Sequence, residues 1–366
     1  MEQKIFLNFA VGPVQIEPEV LALGAQPIPY FRTQEFSALM LGNEQLVLQA
    51  IKAPANSRVV FLTGSGTAAM EAALINLFTP KDKVLVINGG TFGKRFSQLC
   101  DVYSINHTDI VLPAGAALTE KHLAPFEKKG YTGLLVNLHE TSTGVLYDQK
   151  LLADFCKRNH LKLLVDAISS FLADDIDMSG LGACAVIAGS QKAMALPPGI
   201  SLIVLSQEGQ DLIKHNKANG YIRTLYFDLE NALTNGLRGQ TPFTPAVSIL
   251  IQLNYRFRQL QQEGFDKIIR RTALLASDFR KKIKGLPFQI TSQSLSNALT
   301  PLTPTHPVSA YTIFELLKDR YHIFVCPNGG AQKDTLFRVG HIGNLTVQDN
   351  DRLLEALADL NTKNLI

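Results

Sequence analysis

Residues 59–71 read Val-Val-Phe-Leu-Thr-Gly-Ser-Gly-Thr-Ala-Ala-Met-Glu, and the pattern changes at Thr63. The first four residues are typical of a buried strand, whereas the residues from Ala68 onward favour a helix. Gly64 and Gly66 let the backbone turn tightly and bring N–H groups close to an anion, which the N-terminus of a helix also attracts. The stretch therefore predicts a strand, an anion-binding loop and a helix, although a capped turn is the plainer interpretation of the loop alone.

The same loop, residues 64–69, also fits the glycine-rich fingerprint of enzymes that bind nicotinamide dinucleotides. That interpretation requires an acidic residue about 20 positions further on, at the end of the next strand, to bind the ribose. The next strand ends Ile87-Asn88-Gly89-Gly90, without a carboxylate. A nicotinamide dehydrogenase is therefore disfavoured.

Short apolar runs alternate with helical patterns between residues 58 and 206. Their length and lack of internal alternation predict strands buried on both faces, as in a parallel sheet. Because strands and helices alternate, the predicted fold class is α/β, with a mainly parallel sheet in three layers. The runs are residues 58–62, 83–88, 133–138, 161–165, 185–188 and 201–205.

The pattern changes beyond residue 245. A long helical stretch is followed by a strand-like run at 288–291, a loop rich in Pro, Thr and Ser at 294–307, a helix near 311–320, and strands at 323–326 and 335–339. A last helix begins at a capping box that starts with Thr346. We expect a large domain at 21–255 and a smaller C-terminal α/β domain at 256–366, with residues 1–20 packing against the smaller one.

Composition restricts the class of protein. With 35 basic and 32 acidic residues, the net charge of +3 is too small to indicate binding to nucleic acid or to an anionic membrane. No apolar run reaches the roughly 18 residues of a membrane span. Four dispersed cysteines favour reduced thiols, and the N-terminus lacks a signal-peptide pattern. We expect a cytoplasmic protein without a metal site.

Two ionisable residues follow neighbouring predicted strands. Asp166 ends the run Leu-Leu-Val-Asp, and Lys192 follows Gly-Ser-Gln after the next strand. Active sites of open α/β sheets lie at the carboxyl ends of the strands. Apolar surroundings lower the pKa of a lysine amine, as a Schiff-base lysine requires. Taken singly, such an aspartate is commonly a loop cap and such a lysine a surface group.

A phosphate-binding loop, a carboxylate and a desolvated amine at one sheet edge are together what pyridoxal 5′-phosphate (PLP) requires. The lysine would form a Schiff base with the cofactor and move a proton. The aspartate would keep the pyridine nitrogen protonated, so that the ring can act as an electron sink. We therefore predict a PLP enzyme with Lys192 and Asp166 as its catalytic residues.

Seven motifs resemble the class V branch of the fold-type I PLP enzymes, the group of alanine–glyoxylate and serine–pyruvate aminotransferases. Each motif is weak alone, but their shared order makes the resemblance specific, and it covers nearly the whole chain from Gly12 to Arg338. The motifs lie at residues 63–67, 88–93, 139–144, 165–170, 189–192, 239–245 and 337–340. The resemblance implies a PLP-dependent transferase fold and an aminotransferase activity.

The resemblance also implies how the ring would be held. Phe92 and Ile168 would pack on its two faces, and Ser142 or Thr143 would approach its polar edge. Without the motifs, Phe92 and Ile168 could equally be core residues. The implied phosphate ligands are Ser65, Gly66, Thr67 and Gln191, completed by Thr244 from the neighbouring subunit of a homodimer with its active site at the interface.

For the substrate, the resemblance implies that Arg338 binds the α-carboxylate through its planar fork and that Gly12 lines the pocket. Without the motifs, Arg338 could pair with a structural carboxylate, and Thr244 could cap the helix that follows it. Relatives commonly carry a His-Arg pair in the early loop, where this chain has Phe31-Arg32. Arg32 could therefore reach an acidic or phosphate group of the substrate, or only bind the sheet edge.

The implied reaction moves an amino group from a small L-amino acid (serine, phosphoserine or alanine) to a 2-oxo acid (2-oxoglutarate, pyruvate or glyoxylate). A cysteine desulfurase or lyase of the same class is an alternative. It is disfavoured because Cys326 ends an apolar strand instead of lying on a mobile loop. A catalytically inactive relative used for binding is a further alternative, against which both Lys192 and Asp166 argue.

Overall fold

The computed structural model describes residues 6–366. The strands are β1 (Leu7–Phe9), β2 (Arg58–Thr63), β3 (Lys83–Asn88), β4 (Asn106–Val111), β5 (Gly133–Asn137), β6 (His139–Glu140), β7 (Val145–Leu146), β8 (Lys162–Asp166), β9 (Ala185–Gly189), β10 (Ile200–Leu205), β11 (Phe288–Gln289), β12 (Leu299–Pro304), β13 (Ile323–Pro327) and β14 (Phe337–Gly340). The α-helices are α1 (Pro18–Gly24), α2 (Gln34–Ala50), α3 (Gly66–Leu77), α4 (Thr91–Val102), α5 (Glu120–Leu123), α6 (Gln149–Asn159), α7 (Met178–Leu181), α8 (Gln207–Ala218), α9 (Leu229–Gly236), α10 (Val247–Glu263), α11 (Phe265–Lys282), α12 (Ala310–Tyr321) and α13 (Val347–Thr362).

Seven strands form the main sheet in the order β2-β10-β9-β8-β5-β3-β4. Strand β10 runs antiparallel to both of its neighbours, and the other neighbouring pairs are parallel. Alternate side chains of β3 enter two separate apolar cores. Leu85 and Ile87 pack in one core, and Val84 and Val86 pack in the other. Helices cover both faces, so the predicted three-layer α/β fold with a mainly parallel sheet is confirmed.

The sequence patterns do not predict strand β4, at the edge of this sheet. Its six residues, Asn-His-Thr-Asp-Ile-Val, are mostly polar and mostly accessible to solvent. Its side chains are little buried, unlike those of β2 at the opposite edge, so β4 lacks the continuous apolar run by which the other six strands are recognised.

A second sheet has the strand order β1-β13-β14-β12-β11 and packs against α11, α12 and α13 around a third apolar core. The prediction of a loop over residues 294–307 is wrong, because β12 lies within it and pairs with both β14 and β11. Pro301 and Pro304 hide this strand, since proline normally indicates a loop or a strand edge. The proposed domain boundaries at residues 20 and 255 stay a prediction.

The topology brings several loops to one edge of the main sheet. Strands β8 and β9 are parallel neighbours, with Asp166 opposite Ile187, so the segments after both strands leave the sheet at the same edge. Strand β2 points the same way, because β10 is antiparallel to both β2 and β9. Among residues 6–366, none of the helices has the length and apolar character needed to cross a membrane.

Candidate active site

Lys192 follows the end of β9, and its amine lies in a desolvated position. Its Nζ donates a hydrogen bond of 2.7 Å to the carbonyl oxygen of Val11. Burial, assisted by the positive charges of Arg338 and Arg95, lowers the pKa of the Lys192 amine to about 8, while Asp166 among others acts in the opposite direction. A neutral, nucleophilic amine is therefore available near neutral pH.

Gly12 lies directly against the lysine side chain. A Cβ atom at this position would come within 2.5 Å of Lys192 Cδ, and the backbone φ of Gly12 is +121°. Both observations require glycine. Gly12 therefore borders the space in front of the amine, next to the carbonyl of Val11 that receives its hydrogen bond.

Asp166, the last residue of β8, is a buried carboxylate. Its Oδ1 accepts a hydrogen bond of 2.8 Å from the backbone N–H of Ile168. Burial raises the pKa of the Asp166 carboxyl to about 7; the negative charge of Glu140 adds to this, whereas Lys192 and Arg95 oppose it. An isolated carboxylate of this kind is stabilised by a cation or by a proton on a bound group.

The glycine-rich loop opens helix α3. The first N–H groups of any α-helix have no partner within the helix. Ser65, at the N-cap position of α3, forms no side-chain capping bond to them, so they remain available to a ligand. Gly66 lies against Ile168, whose Cδ1 would overlap any Cβ at that position. Thr67 Oγ1 accepts a hydrogen bond of 3.0 Å from Arg95 Nη1. The loop thus presents N–H and hydroxyl donors beside a cation.

Arg95 is a residue that sequence reasoning missed. Its guanidinium carbon lies 4.9 Å from the ring centroid of Phe92, the residue predicted to stack on the cofactor ring. The two side chains are three positions apart on α4, so they lie on one helix face. That spacing, together with the motif at residues 88–93, is the signal that could have found Arg95.

Glu140 fixes the loop at residues 140–143 against the start of α4. Its carboxylate accepts hydrogen bonds from the N–H groups of Gly93 (3.0 Å) and Phe92 (3.4 Å), and from the Ser142 hydroxyl. Ser142 Oγ accepts a further hydrogen bond of 3.2 Å from the N–H of Thr91. Thr143 is buried and donates its N–H to the carbonyl of Glu140 at 3.1 Å. Glu140 therefore positions both Phe92 and Ser142.

Arg338 lies on β14 with its side chain almost fully buried. Its Nη1 donates to the carbonyl of Thr141 at 3.1 Å and its Nη2 to the carbonyl of Pro327 at 2.9 Å, while Nε has no partner among residues 6–366. Burial lowers the pKa of the guanidinium. It borders a cleft of about 560 Å³ that is also lined by Thr91, Phe92, Ser142 and residues 328–332.

His139 is a second residue that sequence reasoning overlooked, although it begins one of the motifs. Its Nδ1 lies 2.9 Å from Ser169 Oγ, and Nε2 has no partner within the described chain. Burial lowers the pKa of His139 to about 3, assisted by the positive charges of Lys192 and Arg338. The imidazole is therefore neutral at physiological pH.

The predicted site residues Gln191, Thr244 and Arg32 have different surroundings. Gln191 is half-buried, and its backbone carbonyl accepts a hydrogen bond of 3.3 Å from Val14. Thr244 is exposed on this chain. Arg32 is also exposed, and it binds the side chain of Gln240 and the carbonyls of residues 241 and 242 at 3.3–3.4 Å.

Comparison with known proteins identifies the family. The family model described as Aminotransferase class-V matches residues 30–327. This chain belongs to the class-V aminotransferases. The dehydrogenase interpretation of the glycine-rich loop is thereby replaced, and the predicted resemblance is confirmed.

Individual relatives span nearly the whole chain. The soluble hydrogenase small subunit of a Synechococcus strain is 31% identical over 353 residues, which cover 94% of this chain and 89% of that protein. The serine–glyoxylate aminotransferase of Hyphomicrobium methylovorum is 27% identical, over 92% of this chain and 85% of the relative. The crystal structure of ureidoglycine–glyoxylate aminotransferase from Bacillus subtilis has a TM-score of 0.92 at 20% identity, covers 100% of this chain and 95% of that one, and shows the same fold.

Family and fold establish a PLP-dependent transaminase of fold type I that acts on an amino acid and a 2-oxo acid. The residues present fit the cofactor. The loop that opens α3 offers unpaired N–H groups to a phosphate, and a carboxylate and an amine follow adjacent parallel strands. Burial is the main cause of both pKa shifts, and each of the two charges partly opposes the shift of the other.

Proposed function

We propose that this transaminase moves the amino group of a small L-amino acid (serine, phosphoserine or alanine) to a 2-oxo acid such as glyoxylate, pyruvate or 2-oxoglutarate. The observation that carries the proposal is that Asp166 and Lys192 follow adjacent parallel strands, where burial raises the pKa of the carboxyl to about 7 and lowers that of the amine to about 8. PLP, when bound, supplies an electron sink that stabilises negative charge at the substrate Cα. Lys192 and Asp166 are the catalytic residues of the proposal.

In this proposal each polar group of the chain has one task. Lys192 holds the cofactor and carries the proton to and from the substrate Cα. Asp166 would accept a hydrogen bond from a protonated pyridine nitrogen, and that positive charge would offset the cost of burying the carboxylate. Phe92 and Ile168 pack on the ring faces, and Ser142 or Thr143 contacts its polar edge. The phosphate ligands are Ser65, Gly66, Thr67 and Gln191, with Thr244 from a second copy of the chain.

The proposed substrate end of the site begins at Arg338. Its unpaired Nε and its planar fork suit a carboxylate, once the two backbone carbonyls that it now contacts are exchanged for substrate oxygens. We assign Gly12, which packs against the Lys192 side chain, to the same substrate pocket. The small residues Gly329, Gly330 and Ala331 line the far side of the cleft, which favours a small donor side chain. The relative named a serine–glyoxylate aminotransferase supports serine as donor and glyoxylate as acceptor.

A donor and acceptor panel tests the substrates. Purified protein with PLP is assayed with serine or alanine against glyoxylate or pyruvate, and with phosphoserine against 2-oxoglutarate. We expect turnover with at least one small donor. Arg32→Gln then separates the two roles considered for Arg32: a selective loss with phosphoserine assigns Arg32 to the substrate, and unchanged kinetics assign it to the loop at residues 240–242. Turnover only with large aromatic donors would refute the small-donor proposal.

A cysteine desulfurase is the second candidate, because one observation favours it. Cys326 lies opposite Arg338 in the β13–β14 pair and is close enough to Lys192 to affect its pKa. Strand pairing holds Cys326 in place, however, whereas a desulfurase needs a cysteine that can move to the substrate sulfur. Sulfide release from cysteine that disappears in Cys326→Ser would support this candidate over the aminotransferase.

We also propose a cytoplasmic homodimer with its active sites at the interface. Exposed apolar side chains lie close to Thr244 and Arg32 in the chain or in space: Ile28, Tyr30, Leu225, Tyr226 and Leu237. Tyr226 stacks on Phe243 at 5.3 Å, which connects this surface to Thr244. Sedimentation velocity tests the dimer. If Thr244 serves the partner's site, a mixture of Lys192→Ala and Thr244→Ala protomers recovers activity that neither variant has alone.

A further inference from the structure

Arg95 carries a positive charge that nothing in the described chain neutralises directly. Its one hydrogen bond to a side chain goes to the neutral hydroxyl of Thr67. The ion pairs formed by arginine within residues 6–366 involve Arg58, Arg158, Arg256 and Arg271, and not Arg95. The guanidinium is half-buried and rests on the Phe92 ring. A half-buried cation without a carboxylate indicates a place for an anion.

The guanidinium of Arg95 lies at the N-terminus of helix α3. Thr67 is the second residue of α3, so Arg95 lies at the helix end where backbone dipoles already produce a positive potential. A cation is normally favoured at the opposite end of a helix. Two positive sources side by side are unfavourable in the free protein, and a doubly charged anion between them would remove the conflict.

Building on the proposed function, we propose that Arg95 is a direct ligand of the cofactor phosphate and supplies its charge recognition. The N–H groups of residues 65–67 bind phosphate oxygens as neutral donors, and Arg95 adds the positive charge that a dianion requires. Because the same guanidinium covers Phe92, Arg95 also connects the phosphate end of the site to the ring that stacks on the pyridine.

The test compares two cofactors that differ only in the phosphate. Apo-protein is titrated with PLP and with pyridoxal by equilibrium dialysis, for the wild type, Arg95→Gln and Arg95→Lys. The neighbouring, exposed Lys94→Gln is the matched control for a lost surface charge. Arg95→Gln should weaken PLP binding roughly 10- to 100-fold, the value of one charge-assisted hydrogen bond, and leave pyridoxal binding within about twofold. Arg95→Lys should recover part of the loss.

Competition by inorganic phosphate gives a second readout that does not depend on activity. Phosphate should inhibit PLP binding to the wild type and to Lys94→Gln, and should inhibit it much less in Arg95→Gln. Equal losses of PLP and pyridoxal affinity would overturn the proposal, because Arg95 would then act only through Phe92. Unchanged PLP affinity would overturn it as well. A wild type that binds neither compound would instead refute the cofactor site itself, and thermal melts identify any variant that fails to fold.

Discussion

The site around Lys192 can be compared with a second group of five residues that also contains buried ionisable side chains. We call the second group the junction cluster; it consists of Asp174, Arg280, Ser296, Thr300 and His341. Both regions contain shifted pKa values. Burial raises the pKa of Asp166 to about 7 and that of Asp174 to about 6. A shifted pKa alone therefore does not distinguish the catalytic site from a structural one.

Hydrogen bonding does distinguish them. In the junction cluster, Asp174 accepts bonds from the Ser296 hydroxyl and from the N–H of Asn297, at 2.8 Å for the latter. Arg280 donates to Thr300 Oγ1 at 2.9 Å and to the carbonyls of residues 296 and 299. His341 Nε2 lies 2.8 Å from the same Thr300 oxygen. One ring nitrogen, His341 Nδ1, has no partner among residues 6–366.

Around Lys192 the unmatched groups accumulate instead. Arg338 Nε and His139 Nε2 are buried without a partner in the described chain, and Arg95 has no carboxylate. Such groups cost free energy unless a ligand satisfies them. The junction cluster, with a single unsatisfied nitrogen, stabilises the fold, whereas several unsatisfied cationic groups in one place indicate where an anionic cofactor and substrate bind.

The largest effect should come from Lys192→Ala. Loss of the amine removes both the attachment of PLP and the proton carrier, so kcat should fall by roughly 10⁴-fold, the upper range for a positioned acid–base group. The visible absorbance of the lysine-bound cofactor should also disappear. Lys150→Ala, which removes an exposed lysine in an ion pair with Asp154, is the control. Normal turnover in Lys192→Ala would contradict the site assignment. The thermal unfolding of Lys192→Ala should match that of the wild type, which shows that the variant folds.

Arg280→Met breaks the other region and should act on stability. The variant loses the hydrogen bonds of Arg280 to Thr300 and to two backbone carbonyls, so the unfolding free energy should fall by about 3 kcal/mol. The loss of stability should depend on pH because burial raises the pKa of Asp174 in the folded protein to about 6. Without Arg280, ionised Asp174 is penalised further, so the loss should be greater at pH 8 than at pH 5, where Asp174 is protonated. Urea unfolding at both pH values measures this; an equal loss at both would show that Asp174 is not coupled to Arg280.

The sequence predicts the parts of the fold that depend on local pattern and chain order. Six apolar runs become six of the seven strands of the main sheet, and the capping box at Thr346 begins α13. Strand β4 and strand β12 were not predictable in this way. Strand β4 lacks an apolar run because most of its side chains remain accessible to solvent, and β12 contains two prolines, so only its pairing partners reveal it.

The candidate site divides in the same manner. Asp166 and Lys192 are recognisable because strand-end position is a property of chain order. Arg95 and His139 are not, because their importance depends on what the fold leaves unpaired around them. Whether a buried polar group lacks a hydrogen-bond partner depends on the folded structure, so the local sequence does not show it. The motifs contained or bordered both residues, but spacing gave them no role.

Arg338→Gln should have a smaller effect, which we expect on substrate binding. A bidentate, charge-assisted contact to the substrate carboxylate should be lost, so kcat/KM should fall about 100-fold, mainly through KM. Arg338→Lys should recover little, because an ammonium lacks the planar fork. Arg320→Gln, at an exposed position on α12, is the matched control. A fall in kcat with unchanged KM would contradict the assignment of Arg338 to substrate binding.

The smallest expected effect concerns the pH dependence of Lys192. Its pKa is lowered to about 8, chiefly by burial, so the neutral amine becomes the major form only above that pH. The rate at which apo-protein captures PLP should therefore rise with pH, reach half of its maximum near pH 8 and be roughly tenfold below the plateau at pH 7. Arg338 lowers this pKa, so Arg338→Gln should move the midpoint upward, whereas Arg280→Met should leave it in place. A profile that still rises above pH 10, as for an ordinary lysine, would mean that the Lys192 amine is solvated. The unpaired groups around Lys192 would then have no effect on its reactivity.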